Sequence, residues 1–277
     1  MGALTFFMVT LLAVAGLYLH SPAGRAVLDR IEINATREEH LLRYKFGTPL
    51  RGTPRLAALD ERLQHQGLAL GTPALIRIFK LESELELWLE KDGRFVRFAT
   101  YPICNWSGWL GPKLAEGDLQ APEGFYTVTK EQLNPDSCCD KAFNLGYPNA
   151  YDEGLGRTGS FIMIHGGCSS IGCFAMTDPV IEELWRIVTA ALDSGEPSVP
   201  VHVFPFRMTD ANIAVRGAYG WNPFWRDLKA GYRAFETDGV PPVVSVCNGR
   251  YVIESGKGKS PGQPVETHCP GAVSAAP

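Results

Sequence analysis

The chain has 277 residues, 45% hydrophobic and 20% charged, which excludes a disordered or fibrous chain and fits one globular domain with extensions. A formal net charge of −4, with no Lys/Arg-rich run among aromatics, excludes a nucleic-acid footprint. Seven cysteines, an odd count, fit one working thiol plus up to three disulfides if the body is exported, and the pairing is not legible from sequence.

The segment Ala3 to Leu19 is apolar apart from Thr5 and Thr10, long enough for a membrane span or a secretory h-region. Residues 1–20 are therefore read as a signal anchor or signal peptide, with membrane contact through this segment. Residues 21–70, rich in Arg, Glu and Leu, predict one or two short helices broken at Gly47-Thr48-Pro49 and Gly52-Thr53-Pro54, a helical juxtamembrane stalk. From Gly71 the pattern changes. Ala74 to Phe79, Leu85 to Leu89 and Phe95 to Tyr101 alternate partially between turn residues and predict a β-meander.

Cys104 to Gly124, punctuated by Gly and Pro, predicts a long ordered loop of the kind that is often functional; its Trp106 and Trp109 suit either an aromatic platform or packing. Phe125 to Thr129 predicts a strand, Asn134 to Asp136 a turn, and Ser160 to Ile164 a buried strand. Adjacent Cys138 and Cys139 are expected to bond elsewhere than to each other, because neighbouring α-carbons sit about 3.8 Å apart. Asp178 as N-cap and Pro179 at the first helical position open an apolar-faced helix ending near Gly195. Val199 to Phe204 predicts a strand on which His202 faces solvent, Thr209 to Val215 a short helix, and Asn222-Pro223 the start of a helix to about Tyr232. Val243 to Val246 and Arg250 to Ile253 flank Asn248-Gly249, a type I′ hairpin signal. Residues 255–277, heavy in Gly, Pro, Ser and Ala, predict a disordered tail.

The chemistry concentrates in Ile164 to Met176. A thiol-based acyl transfer needs a nucleophile, a base within reach and donors for the oxyanion. Cys173 supplies the first and His165 the second, across a glycine-bearing loop that can fold back. The turn at Gly172 and Cys173 offers backbone N–H groups, and Ser169 or Ser170 could orient the loop or the imidazole. Two other readings stay open. The His and the thiols could be plain packing, or His165, Cys168 and Cys173 could take zinc with Cys138, Cys139 or His202, although the spacing matches no standard framework.

Ile164-His165-Gly166 followed by Ser170-Ile171-Gly172-Cys173 resembles the signature of the L,D-transpeptidase (YkuD-domain) family. Gly111-Pro112-Lys113, Pro122-Glu123-Gly124-Phe125-Tyr126 and Pro205 to Asn212 are similar to its YafK-like branch, over about Pro73 to Ile253. The resemblance implies a mostly β (α+β) fold, a YkuD-type β-sandwich with a few peripheral helices, spanning residues 71–254. It implies peptidoglycan stem peptides as partners, attack at the diaminopimelate L-centre through Cys173 with His165 as base, and the oxyanion at Gly172. No cofactor and no metal are implied. Tyr126, Lys113 and Arg207 become candidates for substrate contact, and the body is expected to be periplasmic, tethered to the inner membrane or exported with cleavage. Ile171 and Ala175 depart from the commoner family pattern, which has His and Arg at these positions. The YafK-like branch shares both departures and implies a hydrolytic alternative, release of lipoprotein from diaminopimelate. A zinc-stabilised, non-catalytic wall-binding module is the more remote alternative.

Overall fold

Ser21 starts the first helix: its hydroxyl accepts the N–H of Gly24 (3.1 Å) and Pro22 takes the first helical position. The computed structural model describes residues 21–260 and 262–269; the apolar segment read as an anchor or signal lies outside the described residues. In chain order the elements are α1 (Pro22–Lys45), α2 (Leu59–Gln66), β1 (Ala74–Phe79), β2 (Glu84–Lys91), β3 (Arg94–Pro102), β4 (Asn105–Trp106), β5 (Gly124–Val128), β6 (Leu133–Ser137), β7 (Asp140–Asn144), α3 (Ala150–Gly154), β8 (Met163–His165) and β9 (Phe174–Ala175). They continue with α4 (Asp178–Asp193), β10 (Val199–Phe204), α5 (Asp210–Val215), α6 (Asn222–Asp238), β11 (Val243–Cys247), β12 (Arg250–Glu254) and β13 (Glu266–Thr267). Among the described residues no helix is long and apolar enough to cross a membrane.

The α+β architecture has three sheets. One runs β3-β2-β1-β10-β5, the second β4-β9-β8-β7-β6, and a small third β12-β11-β13. The meander β1 to β3 forms as the alternation predicts, and β10 adds in parallel beside β1. Every residue of β1 and β10 is buried, as expected for strands covered on both faces. His202 is therefore inside, not in water: its ring meets Phe125 edge-on at 5.0 Å, and burial pushes its pKa down to about 3. Helix α4 lies against both large sheets, stacking Trp185 on Phe143 (5.4 Å) and burying Ile181, Leu184, Ile187 and Val188.

Several expectations are corrected. Asn134 to Asp136 belongs to β6, an edge strand where Pro135 forfeits no ladder bond to an outer neighbour, and the turn falls at the next residues. The strand before the key segment is only Met163–His165. The helix after Asn222 continues to Asp238. The expected disordered tail is held as far as Cys269: β13 pairs with β11, and a disulfide joins Cys247 to Cys269. The hairpin itself forms with Asn248 and Gly249 both at positive φ.

The segment expected to form a stalk is helical but docked. Ile33 is fully buried. Asp29 accepts two bonds of 2.9 Å from Arg216 and one of 3.0 Å from Tyr219. His40 Nδ1–H donates to the Ile103 carbonyl (2.8 Å), and Arg37 lies 4.3 Å over the Trp106 ring while donating to the Gly108 carbonyl (2.8 Å).

The long loop 104–124 is pinned by a buried ion pair. Lys80, at the end of β1, donates to Glu123 (3.0 Å) and to the carbonyls of Gly111 (2.8 Å) and Ala121 (2.9 Å). Glu123 also accepts the Gly111 N–H (2.7 Å) and the indole N–H of Trp225 on α6 (2.8 Å). Both charges have no solvent exposure; burial pulls Lys80 down to about 8 against the opposing pull of Glu123. A buried charge left alone is costly. Lys80→Met should destabilise the fold by about 3–5 kcal/mol in urea unfolding, and a loss below about 1 kcal/mol would show that Glu123 finds other compensation.

Candidate active site

Strands β8 and β9 are parallel neighbours, with Ile164 opposite Phe174 and His165 opposite Ala175. Parallel neighbours usually need a crossover of about a dozen residues or more; here residues 166–173 alone make the return, which is feasible because both strands are very short. The turn sets Cys173 beside Met163, whose N–H donates to the Cys173 sulfur (3.4 Å). It thus returns the thiol to the strand that ends at His165.

The return is made of tight contacts. A Cβ on Gly166 would lie 2.6 Å from the Cys139 carbonyl and 2.8 Å from the Asp178 carboxylate, so glycine follows the histidine of necessity. Gly172 has φ +136, open to glycine and strained for other residues. Asp178, expected as N-cap, instead turns its carboxylate to the Gly167 N–H (2.6 Å), and Thr177 takes the cap position at φ +71, a strained conformation for a β-branched residue. Ser170 staples the turn: its hydroxyl donates to the Cys173 carbonyl (2.8 Å) and accepts the Gly172 N–H (3.3 Å), with Ser107 Oγ 3.1 Å away. It orients the loop, not the imidazole.

His165 Nδ1 meets the Gly166 carbonyl at 2.6 Å. A carbonyl only accepts, so Nδ1 carries the proton and Nε2 is the basic nitrogen of the neutral ring. Burial lowers the His165 pKa despite that bond. The Cys173 thiol donates weakly to the Phe161 carbonyl (3.6 Å), and Phe161 itself sits at φ +52. Burial raises the thiol; the Met163 N–H and the Lys113 charge pull the other way without offsetting it. Burial thus disfavours the charged form of both the thiol and the imidazole. No hydrogen bond among the described residues occupies the Cys173 N–H, while the Gly172 N–H is engaged with Ser170, so the free donor for an oxyanion is that of residue 173.

The other candidate residues divide. Lys113 is buried, not a solvated loop lysine: it donates to Asp118 (2.6 Å) and to the Ala115 carbonyl (2.8 Å). Tyr126 is buried with its hydroxyl on the Glu123 carbonyl (3.2 Å) and Asp152 (3.1 Å), and lines a cavity that includes none of residues 163–178. Arg207 lies on the Phe79 ring (4.3 Å) with its guanidinium bound to Glu84 (2.5 Å) and Glu86 (2.8 Å), in a cavity likewise without residues 163–178. Cys168 is bonded to Cys104, so its sulfur is no thiolate ligand for a metal. Cys138 and Cys139 are free thiols with sulfurs 3.4 Å apart. Among the described residues no His/Cys/Asp/Glu group has metal-site geometry. Sequence reasoning did not single out Phe161, Met163, Ser107 or Asp178 as parts of the site; only their place in the fold reveals them.

Residues 79–233 match the family model described as "L,D-transpeptidase catalytic domain" (YkuD). The chain belongs to the YkuD L,D-transpeptidase family. It is 50% identical over 184 residues to the protein named "Putative L,D-transpeptidase YafK" of Escherichia coli K12, covering 66% of this chain and 75% of that protein, and equally to its O157:H7 counterpart. Among solved structures it is similar to the helical cell shape determining protein Pgp2 (K307A mutant) from Campylobacter jejuni, with 22% identity, TM-score 0.41 and coverage of 65% of this chain and 69% of that one. Bdellovibrio bacteriovorus Bd1075 matches with 16% identity, TM-score 0.36 and coverage of 62% and 76%.

Two outcomes test this geometry. Because the Cys173 thiol is raised and His165 lowered, alkylation of Cys173 by iodoacetamide should climb with pH through a midpoint above the ordinary thiol value of about 8.5. A plateau already reached at neutral pH would establish a thiolate–imidazolium pair instead. Gly166→Ala should lower stability by about 1–3 kcal/mol, seen as a drop in melting temperature; an unchanged melting temperature would contradict the close approach of Cys139 and Asp178.

Proposed function

We propose that this family member is a cysteine acyltransferase of peptidoglycan stem peptides, with Cys173 as nucleophile and His165 as general base. The observation that supports the reading is the tight return from β8 to β9: His165, with Nε2 as its basic nitrogen, ends the first strand, and the Cys173 thiol, which accepts the Met163 N–H, precedes the second. The thiol proton passes to His165 Nε2 as the sulfur bonds to the carbonyl carbon after the diaminopimelate L-centre. The Cys173 N–H, with the Gly172 N–H after release from Ser170, stabilises the oxyanion. The tetrahedral adduct collapses with loss of D-alanine, whose amine takes the proton from the imidazolium. An acceptor amine then attacks the thioester and gives a proton to His165 Nε2, which passes it to the departing sulfur to restore the thiol.

Lys113 acts in this reading as a fixed positive charge held by Asp118, favouring the thiolate as it forms. Tyr126 and Arg207 take structural parts, since their polar atoms are committed elsewhere. The reading includes a periplasmic body, supported by the two disulfides, because such bonds persist in oxidising compartments.

Incubating the protein with tetrapeptide muropeptides should yield an acyl-enzyme at residue 173 by intact mass, lost in Cys173→Ala; an adduct that persists in that variant would overturn the assignment. His165→Gln should slow acylation by about 10²–10⁴-fold. Products from tetrapeptides and from sacculi with bound lipoprotein identify the acceptor. New diaminopimelate cross-links are expected, whereas released lipoprotein without cross-links would make water the acceptor.

A further inference from the structure

The turn between β6 and β7 is built on two adjacent thiols. Ser137 and Asp140 pair across it, so Cys138 and Cys139 are its central residues, and Asp140 follows at φ +63. Their sulfurs stand 3.4 Å apart, and among the described residues neither has another hydrogen-bond partner. Cys138 is exposed and Cys139 half-buried. Both line a cavity of about 440 Å³ with Leu41 and Tyr44 of α1 and with Gly167 and Ser169 of the site turn. That volume admits a small molecule, within the roughly 300–1,000 Å³ usual for such sites.

The thiol turn and the site turn meet at Gly166. The Cys139 carbonyl lies 2.6 Å from where a Cβ on Gly166 would be, and the Cys139 Cβ lies 3.9 Å from where one on Gly167 would be. The Gly166 N–H donates to the Lys141 carbonyl (3.3 Å), and its carbonyl accepts the Nδ1–H of His165 (2.6 Å). A displacement of the Cys139 carbonyl therefore reaches both the imidazole and the start of the return to Cys173 through one residue.

Bonding the two sulfurs draws them from 3.4 Å to about 2.0 Å. Neighbouring α-carbons are about 3.8 Å apart, short of the usual disulfide span of about 4.4–6.8 Å, so the ring closes only as the backbone dihedrals of residues 138 and 139 change. β6 is an edge strand whose register already breaks between Asn134 and Ser137, so this end of the hairpin adjusts at little loss of ladder. A bridge strained in this way is readily reduced again, as labile and regulatory disulfides are.

We propose that Cys138 and Cys139 form a reversible oxidation site, closed to a vicinal disulfide by a low-molecular-weight disulfide, and that closure lowers the reactivity of Cys173 by displacing Gly166. The hydrogen bond to Cys138, together with burial, holds the Cys139 thiol up, which leaves the exposed Cys138 to attack first. Its thiolate bonds to one sulfur of the incoming disulfide and expels the other as a thiolate. The deprotonated Cys139 then attacks the Cys138 sulfur and expels the second thiolate. The pair loses two electrons and two protons and gains one S–S bond, while the small disulfide takes up both and becomes two thiols.

The test equilibrates the full chain with cystamine and cysteamine at rising ratio, quenches it with acid and maps the peptides by mass. The peptide holding residues 138 and 139 should lose two hydrogens without gaining cysteamine, and excess cysteamine should restore it. In the oxidised chain, iodoacetamide should label the Cys173 peptide about threefold or more slowly than in the reduced chain. The Cys138→Ser/Cys139→Ser double variant, its fold checked by melting curve, reports any direct capture of Cys173 by cystamine; its labelling should hold the reduced rate in the same mixture. A peptide that stays a dithiol, or keeps bound cysteamine, across the titration overturns the site. Closure that leaves Cys173 labelling unchanged overturns the coupling, as does equal slowing in the double variant. These are measurements of thiol chemistry alone, so they stand or fall apart from the acyl-transfer reading.

Discussion

Glu123 is the point at which the site loop, the central sheet and α6 meet. Its carboxylate takes Lys80 from β1, the Gly111 N–H from the loop and the Trp225 indole from α6, all out of contact with water. An ion pair in such surroundings adds little net stability over an apolar filling. Its value is positional, because each partner is satisfied in only one arrangement. The loop fixed this way carries Ser107, Lys113 and Gln120, which bear on the 166–173 turn. A surface loop of that length would ordinarily be mobile; the buried carboxylate gives it the rigidity of the sheet.

The same economy operates across the second sheet. Short parallel strands leave the connection 166–173 no slack, so its glycines are set by contact distance and its serine by hydrogen bonding. The strain falls at the two ends of this unit, at Phe161 before β8 and Thr177 after β9, and the neighbours hold it: Met176 donates to the His165 carbonyl (2.8 Å) and Thr177 to the Gly167 carbonyl (2.9 Å). Strain of this kind persists only where the surroundings over-determine it. The same enclosure raises the thiol and lowers the imidazole, since burial disfavours charge on both.

Much of this was legible from the sequence. Alternation set β1 to β3, the Asn248-Gly249 pair set the hairpin, and Pro179 set the start of α4, because these signals are local and steric. The glycines of the His-Gly and Ile-Gly-Cys elements are explained the same way, by close approach at Gly166 and positive φ at Gly172. Features that depend on distant partners were hidden. His202 alternates like a half-exposed residue, yet its strand lies inside a sheet covered on both faces. Asn134-Pro135-Asp136 has turn chemistry, and an edge position lets it pair anyway. The enclosure of Lys113 by Asp118 and Tyr147 is equally hidden, because nothing in its Gly-rich loop marks it as buried. The docking of α1 is carried by Asp29, His40 and Arg37, polar residues whose partners lie far along the chain.

The Cys104–Cys168 bond spans 64 residues of sequence, whereas Cys168 and Cys173 are separated only by residues 169–172. Closing a short loop costs an unfolded chain less entropy than closing a long one, so Cys168 meets Cys173 before it meets Cys104. Only the assembled second sheet reverses that order, when β4 comes to lie against β9 and the Cys104 N–H bonds to the Ala175 carbonyl (2.8 Å). The free thiol of Cys173 is thus a kinetic competitor for the Cys104–Cys168 bond. In an oxidising medium, correct pairing of Cys168 therefore depends on the sheet forming first, or on disulfide exchange that returns Cys173 to its reduced state.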